Sequence, residues 1–293
     1  MTQIQLPLRS VSQLNQYVRC PMAYKLARRD KVWARPAAWL PQGSAVHTVL
    51  EHVELANQAG TPMSLEEAKE LFKEQYSTEV SRYTETTPNM DWWFWSGPYS
   101  GMVDIERRYE IGLEQVEKFY SWRADKGQEI WITPDGKPAI ELAFKIKLGG
   151  DESCPVHYRG IEDDDCDCGD QLPIVVRGFI DAVVVVDGKP HVRDYKTGNT
   201  PGDDFQLAVY ALAISMEHGI EMPRYGDYYM AGKKGKPGKP THPYDLSDWT
   251  KESITERFHE VEKGIAAEEF PALPESDKCN FCDVNYSCPE FNH

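Results

Sequence analysis

Two aspartates and a lysine stand at the ends of a predicted strand pair in the segment GFIDAVVVVDGKPHVRDYKTG, residues 178–198. The β-branched run after Asp181, an Asp-Gly turn and the run to Lys196 together predict a β-hairpin. Residues two apart on a strand face the same side, so Asp194 and Lys196 are displayed together. Carboxylates bind Mg²⁺ or Mn²⁺, and a nearby lysine orients water or adds positive charge, so this grouping suits phosphodiester hydrolysis.

An Asp-x-Lys triplet by itself also fits an ordinary solvated strand end. The residues around it must therefore show whether it belongs to a catalytic site. Glu141 lies on the preceding predicted strand and is a candidate third carboxylate. His47, on an early helix, is a candidate to complete a metal shell or hold a water. Gln206 and Tyr210 are one turn apart on the next helix and can point at the same sheet edge. Taken one at a time, each residue also has an ordinary structural interpretation. His47 could be a hydrogen-bonded histidine of a helix, Glu141 a surface acid and Tyr210 a core residue.

The elements that must position these residues alternate between helices and strands. Period-2 patterns indicate a three-stranded meander, and 3.6-residue patterns indicate amphipathic helices on either side of it. A mixed α/β fold follows from this order. The predicted helices cover 10–29, 43–58, 64–81, 101–125, 203–219 and 245–268, and the predicted strands 138–148, 172–186, 190–196 and 224–232.

Length and composition indicate a folded protein with a substantial core, because the 293 residues are 41% hydrophobic. The net charge of −15 argues against a generally basic, nucleic-acid-coating protein, although a nuclease needs only a local basic groove. Two local basic segments exist, at 1–35 and 232–240. No spanning-length apolar run and no signal-peptide layout is found, so we expect a cytoplasmic protein with no membrane partner.

Four of the seven cysteines form a one-plus-three pattern. Cys279 and Cys282 make a CxxC pair, Cys288 follows, and Cys20 stands alone near the start. Reduced thiols of an intracellular protein indicate metal or cluster ligation more than disulfides. Such a site would join the two ends of the chain, and zinc and an iron-sulfur cluster both suit four thiolates.

A second group of soft ligands lies in the middle of the chain. A zinc-binding insertion is one interpretation of this segment, residues 150–172. The alternative is an acidic surface loop with incidental thiols, which the tight Cys-x-Cys spacing favours. The four candidate zinc ligands are Cys154, His157, Cys166 and Cys168.

The order of these motifs resembles the RecB-like branch of the PD-(D/E)XK nuclease superfamily. The segments that carry the resemblance are His47, Glu141, "GFID", "DYK" and "QLAVY", flanked by "QLNQYVRCPMAYKL" and "CNFCDVNYSCPEF". The superfamily's proline is replaced before the first aspartate by Ile180, a form common in this branch. The resemblance implies a restriction-endonuclease-like mixed sheet core flanked by helices, in one nuclease domain over 1–293.

The resemblance also implies roles for single residues. Asp181, Asp194, His47 and the carbonyl of Tyr195 would hold the catalytic Mg²⁺ or Mn²⁺, and Lys196 would be the catalytic lysine. Gln206 and Tyr210 would support the lysine or contact DNA, and Glu141 would be a further catalytic carboxylate. The cysteines at 20 and 279–288 would hold a 4Fe-4S cluster, as in AddB-type nucleases and CRISPR-associated RecB-like exonucleases, with zinc as the alternative.

The function implied is metal-dependent cleavage of DNA, as an exonuclease on single-stranded ends with 5′ to 3′ polarity. A structure-specific endonuclease and a non-catalytic DNA-binding iron-sulfur subunit are the alternatives. No GxxxxGK[ST] motif occurs, so unwinding would need a helicase or recombination partner. We expect a prokaryotic or phage-infected cell. Weaker DNA contacts are predicted for the basic loop at 232–242 and for an aromatic segment, through Lys233, Lys234, Lys236, Lys239, Trp92 and Trp93.

Overall fold

The computed structural model describes residues 6–150, 173–232 and 235–291, and it has the mixed α/β architecture that the sequence predicts. The helices are α1 (Val11–Arg19), α2 (Pro21–Tyr24), α3 (Trp39–Gln58), α4 (Leu65–Thr86), α5 (Gly101–Lys126), α6 (Asp204–His218), α7 (Lys251–Ala266) and α8 (Ser276–Asn280). The strands are β1 (Leu8–Arg9), β2 (Ile140–Leu148), β3 (Ile174–Val186), β4 (Lys189–Lys196), β5 (Tyr225–Met230), β6 (Lys239–Pro240) and β7 (Tyr244–Asp245).

The sheet is mixed, as expected. β2, β3 and β4 form an antiparallel meander, and β5 runs parallel to β4 after the crossover through α6. The predicted hairpin between β3 and β4 is confirmed. Its two turn residues, Asp187 and Gly188, have φ of 50° and 73°, which is the left-handed geometry of a type I′ turn.

One edge of β3 is only partly paired. β2 covers the opposite edge of β3 from 174 to 182. On the remaining edge, parallel β1 pairs at 175–176 and antiparallel β4 pairs at 182–186. Among the residues that the structure describes, the stretch 177–181 therefore has no strand partner on this edge. This gap opens the sheet beside the two aspartates.

Helices pack on both faces of the sheet and make two cores. α6 and α7 cover one face, where Val183 and Val192 of the strands pack with Leu207 and Phe258. α6 is apolar almost all round and buries nine of its residues, so it is a core helix rather than a surface helix. α3, α4 and α5 cover the other face, where the ring of Phe119 packs against the strands.

In the middle of two neighbouring strands, the alternation of side chains between the two faces slips by one residue. Residues two apart, which normally share a face, lie there on opposite faces of the sheet. On β2, Ile140 faces the α3–α5 core while Leu142 faces the α6 core, and between them Glu141 has a positive φ of 45°. On β3 the same change occurs between Ile180 and Ala182. The two slips lie opposite each other in the register, so the acidic residue of each strand stands at the same point in the sheet.

The N-terminal helix was predicted to be continuous to about residue 29, and this continuity is wrong. Pro21 forces the preceding Cys20 into an extended conformation, with φ −166° and ψ 107°, which separates α1 from α2. A π-helical turn, Lys25–Arg29, follows α2. The last long helix begins at 251 rather than 245, because Thr250 and Ser253 form a capping box there.

The tail that follows α7 packs against the N-terminal segments. The backbone N–H of Met22 donates to the Pro271 carbonyl at 3.3 Å, and that of Arg35 to the Asp283 carbonyl at 2.6 Å. The Tyr24 ring stacks near-parallel on a phenylalanine of the tail. The two ends of the described chain are therefore joined. In this described part, no helix is both long enough and apolar enough to cross a membrane.

Candidate active site

Three predicted site residues converge at the slip in the sheet. His47, Glu141 and Asp181 each offer a ligand atom, and these atoms lie within 4.8 Å of one another. Nδ1 of His47 is 3.5 Å from Oδ2 of Asp181. α3 brings the histidine close because Gly43, one turn earlier, packs against Thr197, where an added Cβ would lie 3.3 Å from the hydroxyl.

Asp181 occupies the unpaired edge of β3. Its Oδ2 accepts a hydrogen bond from the backbone N–H of Tyr195 at 2.6 Å, where a regular ladder would use a backbone carbonyl. The next carbonyl, of Lys196, accepts from the backbone of Ala231 at 2.9 Å, so it faces β5. Because peptide groups alternate along a strand, the Tyr195 carbonyl faces β3 and the carboxylate of Asp181.

Asp194, Lys196 and two residues of α6 form a hydrogen-bonded group beside this cluster. Nζ of Lys196 lies 2.6 Å from Oδ2 of Asp194. Nε2 of Gln206 donates to Oδ1 of Asp194 at 2.8 Å and to the Tyr210 hydroxyl at 2.7 Å. The side chain of Asp203 caps α6 by accepting from the Gln206 backbone N–H, which fixes the helix start.

Crowding of these charges shifts the pKa values. Burial, followed by the charge of Asp181, raises the pKa of Glu141 to about 7, although His47 opposes the shift. Burial alone would lower the pKa of His47, but Asp181, Asp194 and Glu141 outweigh it and raise that pKa to about 9. Burial and the charge of Asp181 also raise the pKa of Asp194, against the opposing effect of Lys196. Without metal, the negative charge of the site is therefore balanced by protons on Glu141 and His47 and by the Lys196 ammonium.

This donor set fits a hard divalent cation. Carboxylate oxygens and one imidazole converge where Asp181 and Asp194 are almost fully buried, at 8% and 3% exposure. Buried carboxylates repel each other unless protons or a cation separate them, as the raised pKa of Glu141 shows. Mg²⁺ and Mn²⁺ supply that charge with the oxygen coordination available here.

A groove of about 720 Å³ adjoins the Asp194–Lys196 pair. Lys196 and Gln206 line it, together with residues from α1, from the segment before α3, and from the open edge of β3. Two lining residues of β3, Arg177 and Phe179, were not among the predicted site residues. The available signal was their alternation with buried neighbours just before Asp181, which marks exposed positions on the strand.

Four cysteines from the two chain ends line one cavity of about 80 Å³, and all are free thiols. Burial raises the pKa of Cys282, with the neighbouring Cys20 among the contributing charges. Within the described residues, the group of three or more potential metal ligands is that of His47, Glu141 and Asp181, and the cysteines do not form a second one. Gln16, Arg19, Phe281 and Asp283 line both this cavity and the groove, so the two share a wall.

The aromatic segment divides into an exposed and a buried residue. Trp92 is 51% exposed and packs edge-on against Trp33 and Tyr286. Trp93 has no exposed surface, and its Nε1–H donates to the Thr87 carbonyl at 3.0 Å. The prediction that Trp93 stacks bases is therefore wrong, because its ring is part of the core.

The remaining predicted residues fall in or near segments outside the described structure. Lys236 and Lys239 are exposed, and their loop leaves β5 at Met230, the partner of Lys196. The other basic-loop residues, Lys233 and Lys234, lie outside the described residues. So do all four candidate zinc ligands, Cys154, His157, Cys166 and Cys168.

Comparisons with known proteins identify a family and two relatives of this chain. A family model described as "PD-(D/E)XK nuclease superfamily" matches residues 9–289. "Gene 69 protein" of Mycobacterium phage D29 is 62% identical over 291 residues, covering 99% of this chain and 100% of that protein. "Gene 69 protein" of Mycobacterium phage L5 is 59% identical over 309 residues, covering 99% of each. The solved structure titled "Crystal structure of SSO0001" is 12% identical to this chain, with a TM-score of 0.36. The match covers 73% of this chain and 82% of that one.

Proposed function

Because this chain belongs to the PD-(D/E)XK nuclease superfamily, we propose that it is a metal-dependent deoxyribonuclease that acts on single-stranded ends. The convergence of His47, Glu141 and Asp181 beside the Asp194–Lys196 pair carries this proposal. Acids at this density are costly in a fold unless they hold a cation. A hydrolase that cleaves phosphodiesters has a use for that cation.

In this proposal each residue has a distinct role. His47, Asp181, Asp194 and the Tyr195 carbonyl hold Mg²⁺ or Mn²⁺, which supplies an activated water and stabilises charge on the phosphate. Glu141 is a further acid of the same cluster. Lys196 places its ammonium at the reacting phosphate or water, and Asp194 holds it there.

Gln206 and Tyr210 are positioning residues. The Gln206 amide bonds Asp194 with its nitrogen, while its oxygen lies 3.4 Å from the Lys196 ammonium. One side chain therefore orients both members of the ion pair. Tyr210 in turn accepts from the same amide, which limits its rotation.

The test is cleavage of end-labelled single-stranded DNA with Mg²⁺ or Mn²⁺. Asp194→Asn and Lys196→Ala are expected to abolish cleavage. Asp187→Asn and Lys189→Ala are matched controls on the same hairpin, and asparagine tolerates the left-handed φ at position 187. Equal background in wild type and all four variants would contradict the nuclease.

The mode of action is a separate part of the proposal. An exonuclease of the RecB-like branch leaves circular single-stranded DNA intact and degrades the same molecule once it is linearised. Release of mononucleotides from the 5′ label before the 3′ label would establish 5′ to 3′ polarity. Cutting of the circle would instead indicate an endonuclease. The mycobacteriophage relatives support a role inside an infected bacterium, with unwinding supplied by a partner.

We also infer that Cys20, Cys279, Cys282 and Cys288 hold a 4Fe-4S cluster. The support for this inference is that the four thiols, one from the start of the chain and three from its end, line one cavity. Zinc is the alternative occupant of four thiolates. Such a cluster would join the chain ends and keep the shared wall of the groove in place.

Metal and sulfide analysis of anaerobically purified protein tests the cluster. About four irons and four acid-labile sulfides per chain are expected, lost together in Cys282→Ser. One zinc per chain with no sulfide would contradict the iron-sulfur assignment and support the zinc alternative.

A further inference from the structure

A large aromatic ring is exposed on β3, close to the catalytic residues. The Phe179 side chain is 60% exposed although it lies within a strand of the central sheet. Its cross-strand neighbour on β2 is Ala143, which is too small to cover the ring. Phe179 stands two residues before Asp181, about 6.6 Å along the strand.

Two cations stand beside this ring on the same face of the sheet. Lys145 and Arg177 are directly opposite each other in the β2–β3 register. Like charges in this relation destabilise a sheet. In the described part of the chain, neither side chain has an ion-pair partner; Glu217 contacts only the backbone N–H of Lys145, at 2.7 Å. Among the described residues, an acidic protein thus carries a basic pair without an ion-pair partner next to its catalytic site.

The ring and one of the two cations line the groove that contains the catalytic lysine, and Lys145 stands opposite that cation on β2. Arg177 and Phe179 line that groove together with Lys196 and Gln206. Arg177 lies about 13 Å from Asp181 along β3, on the far side of Phe179. A chain molecule that follows the open edge of β3 would meet Arg177 first, then the ring, then the catalytic group, with Lys145 one strand further in beside Arg177.

We propose that Phe179, Arg177 and Lys145 form a shelf that binds the unpaired strand leading into the active site. The proposal rests on the nuclease function proposed above and names how its substrate is held. The Phe179 ring stacks on a base, and the two cations bind phosphates of the same strand. Bases inside a duplex present no free face to such a ring, so the shelf selects single-stranded DNA.

Binding without cleavage tests the shelf. Fluorescence anisotropy of a labelled oligothymidylate of about 20 nucleotides, without divalent metal, is compared with an abasic strand and a duplex of equal length. Phe179→Ala is expected to weaken oligothymidylate binding at least about fivefold and leave abasic binding unchanged, with Phe179→Trp retaining affinity. The slope of log binding constant against log salt concentration measures the number of phosphate contacts. The double variant Lys145→Gln, Arg177→Gln is expected to make this slope shallower by about 1.4.

The matched controls lie away from the groove. Tyr225→Ala removes another exposed aromatic of the sheet, and Lys189→Gln another exposed cation of the same hairpin. Both are expected to bind like wild type. Unchanged oligothymidylate binding by Phe179→Ala, or an equal loss on abasic strand or duplex, would overturn the shelf. Cleavage by wild type with Mn²⁺ is measured in parallel. It tests the nuclease function independently of these binding measurements.

Discussion

Glu141 and Asp181 face each other across β2 and β3 at the point where the side-chain alternation of both strands slips, and Glu141 has a φ of 45°. A glutamate in the left-handed region is strained by about 1–3 kcal/mol. The raised pKa of Glu141 adds an electrostatic cost for its charged form. Strain and repulsion at one residue indicate a position kept for chemistry at the expense of stability.

Exchange of Glu141 should separate these two effects. Glu141→Gln is expected to weaken Mn²⁺ binding at least about tenfold, because it removes an anionic ligand while retaining the side-chain shape. Glu141→Gly should lose the same affinity but unfold about 2 °C or more higher than Glu141→Gln without metal, since glycine adopts this φ freely. Isothermal titration and thermal unfolding measure the two quantities.

The control for this pair is Glu129→Gln, a change of a nearby glutamate outside the cluster, which should alter neither quantity. Equal melting temperatures for Glu141→Gly and Glu141→Gln would contradict backbone strain at this position. Unaltered Mn²⁺ affinity in both variants would exclude Glu141 from the metal site.

Metal affinity should rise steeply with pH. The pKa values of about 7 for Glu141 and about 9 for His47 mean that both groups carry protons below pH 7 in the metal-free protein. A metal must displace those protons to bind. Mn²⁺ affinity is therefore expected to increase about a hundredfold per pH unit from 6 to 7, about tenfold per unit from 7 to 9, and to level off above 9. Below pH 6 the increase is steeper, because Asp194, with a pKa of about 6, then holds a proton as well.

Proton release measured by calorimetry in buffers of different ionisation enthalpy checks this sign. About two protons per metal are expected at pH 6.5 and about one at pH 8. His47→Gln should remove the proton that is released at pH 8. Proton uptake on metal binding at either pH would contradict the proposed ligand set.

Gln206 should influence turnover more than metal binding. Gln206→Leu removes the hydrogen bond to Asp194 and the contact with Lys196, so kcat is expected to fall about 10–100-fold. Tyr210→Phe should cost less than about threefold, because Gln206 still bonds Asp194. Steady-state cleavage and Mn²⁺ titration of both variants measure the effects. A larger loss for Tyr210→Phe than for Gln206→Leu would reverse the proposed order.

A separate charge network should matter for stability alone. Asp227 accepts two hydrogen bonds at 2.7 Å from Arg193 and lies 2.9 Å from His191, and all three residues are buried. Burial alone would raise the pKa of Asp227, but these partners lower it. Asp227→Asn is expected to destabilise the protein by about 3–5 kcal/mol, because Arg193 keeps a buried, uncompensated charge.

Urea unfolding at pH 7 measures this cost. Asp245→Asn breaks an exposed ion pair with Arg224 and should leave stability close to that of wild type, because solvent screens exposed pairs. Since the pKa of Asp227 is depressed, its contribution is present above its unfolded pKa of about 3.9 and is lost as the pH falls through the folded value. A pH-independent difference between wild type and Asp227→Asn from pH 7 down to 2 would contradict this network.

Much of the fold follows from short-range sequence signals. The hairpin of β3 and β4 was predictable because an Asp-Gly pair adopts positive φ in a type I′ turn. The order of strands and helices followed from their hydrophobic periods. The errors were local as well: Pro21 interrupts the first helix, and the capping box at Thr250 delays the last one.

The site divides in the same way. The sequence alone determined that Asp194 and Lys196 share a face, because strand geometry has a period of two. Only the tertiary structure decided that His47 and Glu141 meet Asp181, because the contact depends on α3 crossing the sheet and on slips in two strands.

The groove and the cysteine cavity likewise lay beyond local signals. The open edge of β3 exists because β1 and β4 pair with different parts of one long strand. Cys20 meets the tail cysteines through packing of the two chain ends. Sequence periodicity reports which face of an element is buried, whereas the partner of that face depends on long-range packing that local patterns do not encode.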